Sequence, residues 1–114
     1  MDMKSQINLD EFQKVELRVG EVLSVEKVPE TDKLLRLMVN IGDEKLRQII
    51  SGISLHFPDP TVLIGKRYVF VTNLEPRAIR GFESQGMILA VSTDDGQFSL
   101  LEPSGDVPPG TKAK

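Results

Sequence analysis

Cysteine and tryptophan are absent from the chain, and tyrosine occurs once in 114 residues. Without thiols there is no disulfide, no thiolate metal site and no cysteine nucleophile, and the composition fits a reducing, cytoplasmic setting. So few aromatics predict no broad stacking platform. Histidine also occurs once, as His56. A metal site would then need clustered carboxylates, and none are suitably placed, so no metal or other cofactor is expected. His56 is read as a structural or surface residue. No apolar run approaches the length of a membrane span. The opening Met1-Asp2-Met3-Lys4-Ser5 lacks the basic-then-apolar pattern of a signal peptide.

Enzyme motifs are missing too. There is no Gly-x-Gly-x-x-Gly and no Gly-x-Ser-x-Gly elbow, and Gly65-Lys66 lacks the rest of a phosphate loop. Ser84 has no histidine near it in sequence. The acidic pairs Asp43-Glu44 and Asp94-Asp95 sit in turn sequences, where solvation explains them. No catalytic residue is assigned.

What is present describes one globular domain, residues 1–114, with a core over about 12–101 and an extended Pro/Gly-rich tail over 102–114. The net charge is -3, but it is unevenly distributed. Between Lys33 and Arg80 stand eight cations (Lys33, Arg36, Lys45, Arg47, Lys66, Arg67, Arg77, Arg80) and four acids (Asp43, Glu44, Asp59, Glu75). That middle block is +4, so the two ends together carry -7. Gathered on one face by folding, such cations can meet phosphates; scattered, they are ordinary solvated charges.

Periodicity predicts strands. Ser5–Val15 reads as a short helix of at most two turns, capped by Asn8 or Asp10, forming a lid on the core. Val15–Val28 alternates, with Val15, Leu17, Val19, Leu23 and Val25 expected inward and a bulge or bend expected near Glu21. Lys33–Ile41 places Leu35, Leu37, Val39 and Ile41 on one face, and Gly42-Asp43 turns it into a hairpin partner, Glu44–Ser51. Arg36 and Arg47 are expected on an outer face, interleaved with Met38 or Ile49. Gly52–Gly65 is a long connection in which Pro58 and Pro60 forbid an extended helix. Tyr68–Thr72, apolar on both faces, reads as a central strand; Met87–Val91 and Gln97–Leu101 follow. A long bent first strand, a hairpin and a longer connection before the fourth strand favour an all-β OB-fold, a five-stranded Greek-key barrel.

Between the two apolar runs lies Asn73-Leu74-Glu75-Pro76-Arg77-Ala78-Ile79-Arg80-Gly81-Phe82-Glu83-Ser84-Gln85-Gly86-Met87. It mixes turn residues with donors of the kind that meet phosphates and base edges. A capped surface loop is an equally good reading of those residues alone.

Taken with Val15-Glu16-Leu17-Arg18-Val19-Gly20, Lys33-Leu34-Leu35, Ser51-Gly52-Ile53 and Gly65-Lys66, the run Asn73-Leu74-x-Pro76-Arg77…Ser84-Gln85-Gly86-Met87 resembles the tRNA-binding domain family. That family includes the C-terminal appendix of methionyl-tRNA synthetases, free-standing structure-specific tRNA-binding proteins and the endothelial monocyte-activating polypeptide II domain. The resemblance covers about Phe12 to Leu101. It implies an OB-fold homodimer that binds tRNA by shape, without catalysis, and assists or forms part of methionyl-tRNA synthetase. A secretion-associated chaperone shares the fold, so a chaperone-like or synthetase-docking domain is the alternative. The family's tRNA-contacting positions fall on Lys33, Asn73, Arg77, Ser84 and Met87. Charge and alternation add Arg36, Arg47 and Arg80. Where the family often carries further basic or aromatic residues, this chain has Ala78, Leu55 and His56.

Overall fold

The computed structural model describes residues 3–114, so Met1 and Asp2 of the polar N-terminus lie outside the described residues. Its elements are α1 (Leu9–Phe12), β1 (Leu17–Lys27), β2 (Leu35–Asn40), β3 (Arg47–Ser51), 3-10 turns at Ser54–His56 and Pro60–Leu63, β4 (Arg67–Val71), β5 (Arg77–Ile79), β6 (Phe82–Ser84), β7 (Met87–Ile88), β8 (Ala90–Ser92) and β9 (Phe98–Leu100). Five antiparallel strands form one sheet in the order β3-β2-β1-β4-β7. The sheet curls until its two edges meet. Gln85 N donates to Gln48 O at 2.8 Å, Gln48 N to Gln85 Oε1 at 2.9 Å, and Ile50 N to Ser84 Oγ at 3.0 Å. The result is the expected small OB-like barrel, nearly closed.

The core follows from alternation in β2: Leu35, Leu37, Val39 and Ile41 are all fully buried. Phe70 of β4 joins them, with Val22, Ile49 and Leu63. In β1 the inward set differs from the expected one. Gly20 and Val22 face the core, and the register shifts between Val22 and Ser24, making Leu23 the bulged residue and leaving it exposed. Past the bulge, Val25 packs against the core. A Cβ on Gly20 would stand 2.7 Å from Phe70 Cδ1, so the position must lack a side chain. Leu17 and Val19 face the other way, where Val19 is covered by the tail: Gly110 N donates to Val19 O, Val19 N to Thr111 O, and Ala113 N to Leu17 O. The tail therefore lies along an edge of β1 that would otherwise be unpaired.

Two further expectations change. The helix is a single turn N-capped by Asn8, one of the two residues expected, with Glu11 completing a capping box, but it buries nothing. Leu9 and Phe12 are 67% and 51% exposed, so it is no lid. The apolar run Met87–Val91 also splits in two. Met87–Ile88 pairs with β4, and Ala90–Ser92 pairs with β9 around the Asp94-Asp95-Gly96 turn.

Candidate nucleic-acid interface

The Asn73–Met87 stretch is a hairpin rather than a loop. β5 and β6 pair Arg77 with Ser84 and Ile79 with Phe82. The turn between them holds two left-handed residues, Arg80 (φ 51°) and Gly81 (φ 84°), the backbone of a tight β-hairpin. The hairpin stands over the end of β3, and a cavity of about 340 Å³ opens beneath it. Leu34, Ile50, Leu74, Ile79 and Met87 give that cavity an apolar floor, and Arg77, Ser84 and Glu75 edge it. A second hollow of about 450 Å³ shares Leu34 and Ile79 with the first and is bounded by Lys33 and Arg80. The two form one groove.

Five of the eight predicted positions meet in that groove: Lys33, Arg77, Arg80, Ser84 and Met87. Lys33, Arg77 and Arg80 are exposed. Among the described residues none of the three has an ion-pair partner. Met87 is 43% exposed, available for contact rather than committed to the core. Ser84 is only 5% exposed; its hydroxyl accepts from Ile50 N and donates to Gly86 O at 3.1 Å, so both of its roles are filled by the barrel seam.

The remaining three positions are engaged elsewhere. Asn73 Oδ1 accepts from Glu16 N at 2.8 Å and its Nδ2 donates to Lys14 O at 2.6 Å, tying the chain before β1 to the end of β4. Arg47 donates to the carbonyls of Thr72 and Gln85 and pairs with Asp43 at 3.1 Å. It starts β3, at the far end of that strand from the groove's Ile50 and Ser51, and Lys45 lies in the turn beside it. Arg36 does occupy an outer face, bonded to Gln48 Oε1 and Glu26, with its guanidinium 5.8 Å from the Phe82 ring centre. Ile49, expected to interleave with these arginines, is a core residue at 1% exposure. Of the eight central cations, Arg36, Arg47 and Arg67 are in ion pairs.

The groove is not uniformly positive. Glu75 edges the first hollow, and Glu30 and Asp32 line the second. None of the three makes an ion pair among the described residues, so the cations stay available but the field is mixed. Leu34, Leu74 and Ile79 line the groove without being among the predicted positions. Their only sequence signal is an apolar residue beside each predicted cation or donor, which alternation alone assigns to packing.

Away from the groove, Arg18 links β1 to the β2–β3 turn. Its Nη1 donates to Ile41 O at 3.2 Å and to Asp43 Oδ1 at 3.0 Å. Nε lies 2.8 Å from Glu16 Oε1, an ionic contact rather than a directed hydrogen bond. The hydrogen bond from Arg18 is the main reason the Asp43 carboxyl sits below its ordinary range. For Glu16 the main cause is the Thr72 hydroxyl, which donates to Oε1 at 2.6 Å.

A small, nearly closed barrel with an apolar-floored groove edged by unpaired cations has the architecture of the OB-folds that bind oligonucleotides. The chain belongs to the family described as "Putative tRNA binding domain", which it matches over residues 17–112. It is 48% identical over 107 residues to a methionine–tRNA ligase of Enterococcus faecalis, covering 94% of this chain and 16% of the ligase. It is 45% identical over 109 residues to that of Methanocaldococcus jannaschii, covering 96% of this chain and 16% of the ligase. The chain thus spans about a sixth of the length of these relatives. Among solved structures, a MetRS-related protein from Pyrococcus horikoshii superposes with a TM-score of 0.89 at 38% identity, covering 97% of this chain and all of that one. The chaperone CsaA of Bacillus anthracis gives 0.84 at 30%, covering 96% of this chain and all of that one.

Proposed function

We propose that the chain is a non-catalytic tRNA-binding module that reads tRNA by shape and backbone and assists, or forms part of, a methionyl-tRNA synthetase in the cytoplasm. The observation that carries this reading is the groove in which Lys33, Arg77 and Arg80 stand unpaired around an apolar floor. The two arginines and Lys33 neutralise phosphates, and Met87, Leu34 and Ile79 pack against ribose or base. Contacts of this kind carry little sequence information, as shape recognition requires. The likeness to ligases of which the chain matches one-sixth supports an accessory role. The test is an electrophoretic shift with total tRNA. Replacing Arg77 or Lys33 by alanine weakens binding to every tRNA alike; loss confined to one isoacceptor would contradict shape recognition.

The chain acts as a homodimer in this reading. Support comes from an apolar face left open by the fold: Ile7, Leu9, Phe12 and Val15 are 60%, 67%, 51% and 44% exposed. Phe12 and Val15 line a cleft of about 370 Å³ with Ala113 of the tail. A second copy doubles the cations offered to one tRNA. A monomer in light scattering at micromolar concentration would refute it.

The likeness to CsaA favours one alternative, a chaperone-like domain. It predicts peptide binding that survives high salt, and no tRNA shift.

A further inference from the structure

We propose that the stacked rings of His56 and Phe98 form a nucleobase platform: one unpaired base of a bound RNA lies on the outer face of the His56 ring while its strand runs back to Lys33. The inference rests on the tRNA-binding reading and adds a contact that reading does not contain.

The two rings lie 3.8 Å apart between centroids and 6° from parallel. Phe57 meets Phe98 edge-on, with centroids 6.0 Å apart and planes at 79°. Phe98 is thereby fixed from two sides, and it holds the imidazole flat. His56 itself is exposed, and no hydrogen bond engages its ring among the described residues. The ring has a partner beneath it and is exposed to solvent, an arrangement on which a base can stack.

Its position favours RNA. Ser54 N, in the same 3-10 turn, donates to Lys33 O at 2.9 Å. The turn that carries His56 is therefore bonded directly to the backbone of the groove's own lysine. A strand with a phosphate at Lys33 can lay a neighbouring base on His56. The adjoining hollow, about 440 Å³, is lined by Tyr68, Ser99 and Glu102. Tyr68 is 7% exposed, and its hydroxyl has no hydrogen-bond partner among the described residues. Burial, then the nearby Glu102, pushes its pKa up, so it remains a donor. A phenol donor beside a carboxylate acceptor matches the mixed edge of a base, and is a poor lining for an apolar peptide side chain.

The test uses the full chain, its H56A and H56F variants, and a short single-stranded RNA carrying one 2-aminopurine, whose fluorescence is quenched by stacking. A blunt duplex RNA serves as the control. With the wild type and H56F, fluorescence falls on binding. With H56A the quench is lost and affinity for the single strand drops about five- to a hundredfold, the range for one base–aromatic stack. Duplex affinity and the salt dependence of binding stay unchanged, because no phosphate contact is removed. Matching thermal unfolding of the three proteins shows that the fold is intact. If H56A quenches and binds like the wild type, or H56F fails as H56A does, the platform is wrong while tRNA binding stands. If H56A instead loses binding of an unfolded peptide and keeps RNA, the rings serve a protein partner and the inference is overturned. If the wild type shifts total tRNA but does not bind the short single strand, the platform is wrong; if it shifts no tRNA either, it is the parent reading that has failed.

Discussion

Asn73 shows how a side chain suited to RNA can be needed by the fold instead. Its amide closes the chain onto itself through Glu16 and Lys14, with neither end free. Asn73→Ala is expected to lower stability by about 0.5–1.5 kcal/mol in urea unfolding, because it removes two hydrogen bonds whose backbone partners water can reach. Any loss of tRNA affinity should follow that instability rather than exceed it. Arg47 is a parallel case, a cation already bound to two carbonyls and Asp43. Composition names such residues but says nothing of whether their hydrogen bonds are already made, which is why Arg36, Arg47 and Asn73 read from sequence like Lys33 and Arg77. Glu75 works in the opposite sense. It edges the groove without an ion-pair partner and repels phosphate there. Glu75→Gln is expected to tighten tRNA binding severalfold at low salt, with the gain vanishing as salt rises. Equal affinity at low salt would mean that no phosphate comes near it.

At the scale of elements, the β5–β6 hairpin does two jobs. It hangs Arg77 and Arg80 over the groove, and its last residue, Ser84, seals the barrel by accepting from Ile50 N. Ser84→Ala leaves that buried amide unsatisfied and is expected to cost about 1–3 kcal/mol. It should do so with less effect on tRNA affinity than Arg77→Ala; the reverse order would make Ser84 a contact after all. The hairpin was not legible as one because its turn is Arg80-Gly81 rather than the Asn-Gly or Asp-Gly that announces such turns. β2 is legible because its alternation is unbroken. In β1 the pattern misled for a physical reason: Gly20, an inward position, contributes no hydrophobicity, and the bulge at Leu23 reverses the parity after it. The helix is legible in its cap but its exposure is not, since an amphipathic turn looks the same whether the fold or a partner covers it.

For the whole molecule, acid sensitivity and RNA binding are separate consequences of charge. Glu16 and Asp43 are both held below their ordinary values of 4.5 and 3.8, Glu16 chiefly by Thr72 and Asp43 chiefly by Arg18. The unfolded chain therefore binds these protons first, so the stability they confer is present above those values and is lost as pH falls through the lower folded ones. The urea midpoint should fall as the solution is acidified below about pH 4.5, and Asp43→Asn should flatten that decline. The groove answers to salt instead. A chain of net charge -3 binds a polyanion only if folding brings unpaired cations together, and Lys33, Arg77 and Arg80 are the ones it brings. The most direct measurement is the tRNA association constant across a range of salt concentrations, for the wild type and for Arg77→Ala. Three phosphate contacts per chain predict a slope of log K against log salt of about -2 to -3 where one chain meets the tRNA and about -4 to -5 where both chains of a dimer do, and Arg77→Ala makes it shallower by about one for each chain engaged. A slope near zero, or one that Arg77→Ala leaves untouched, would contradict the account.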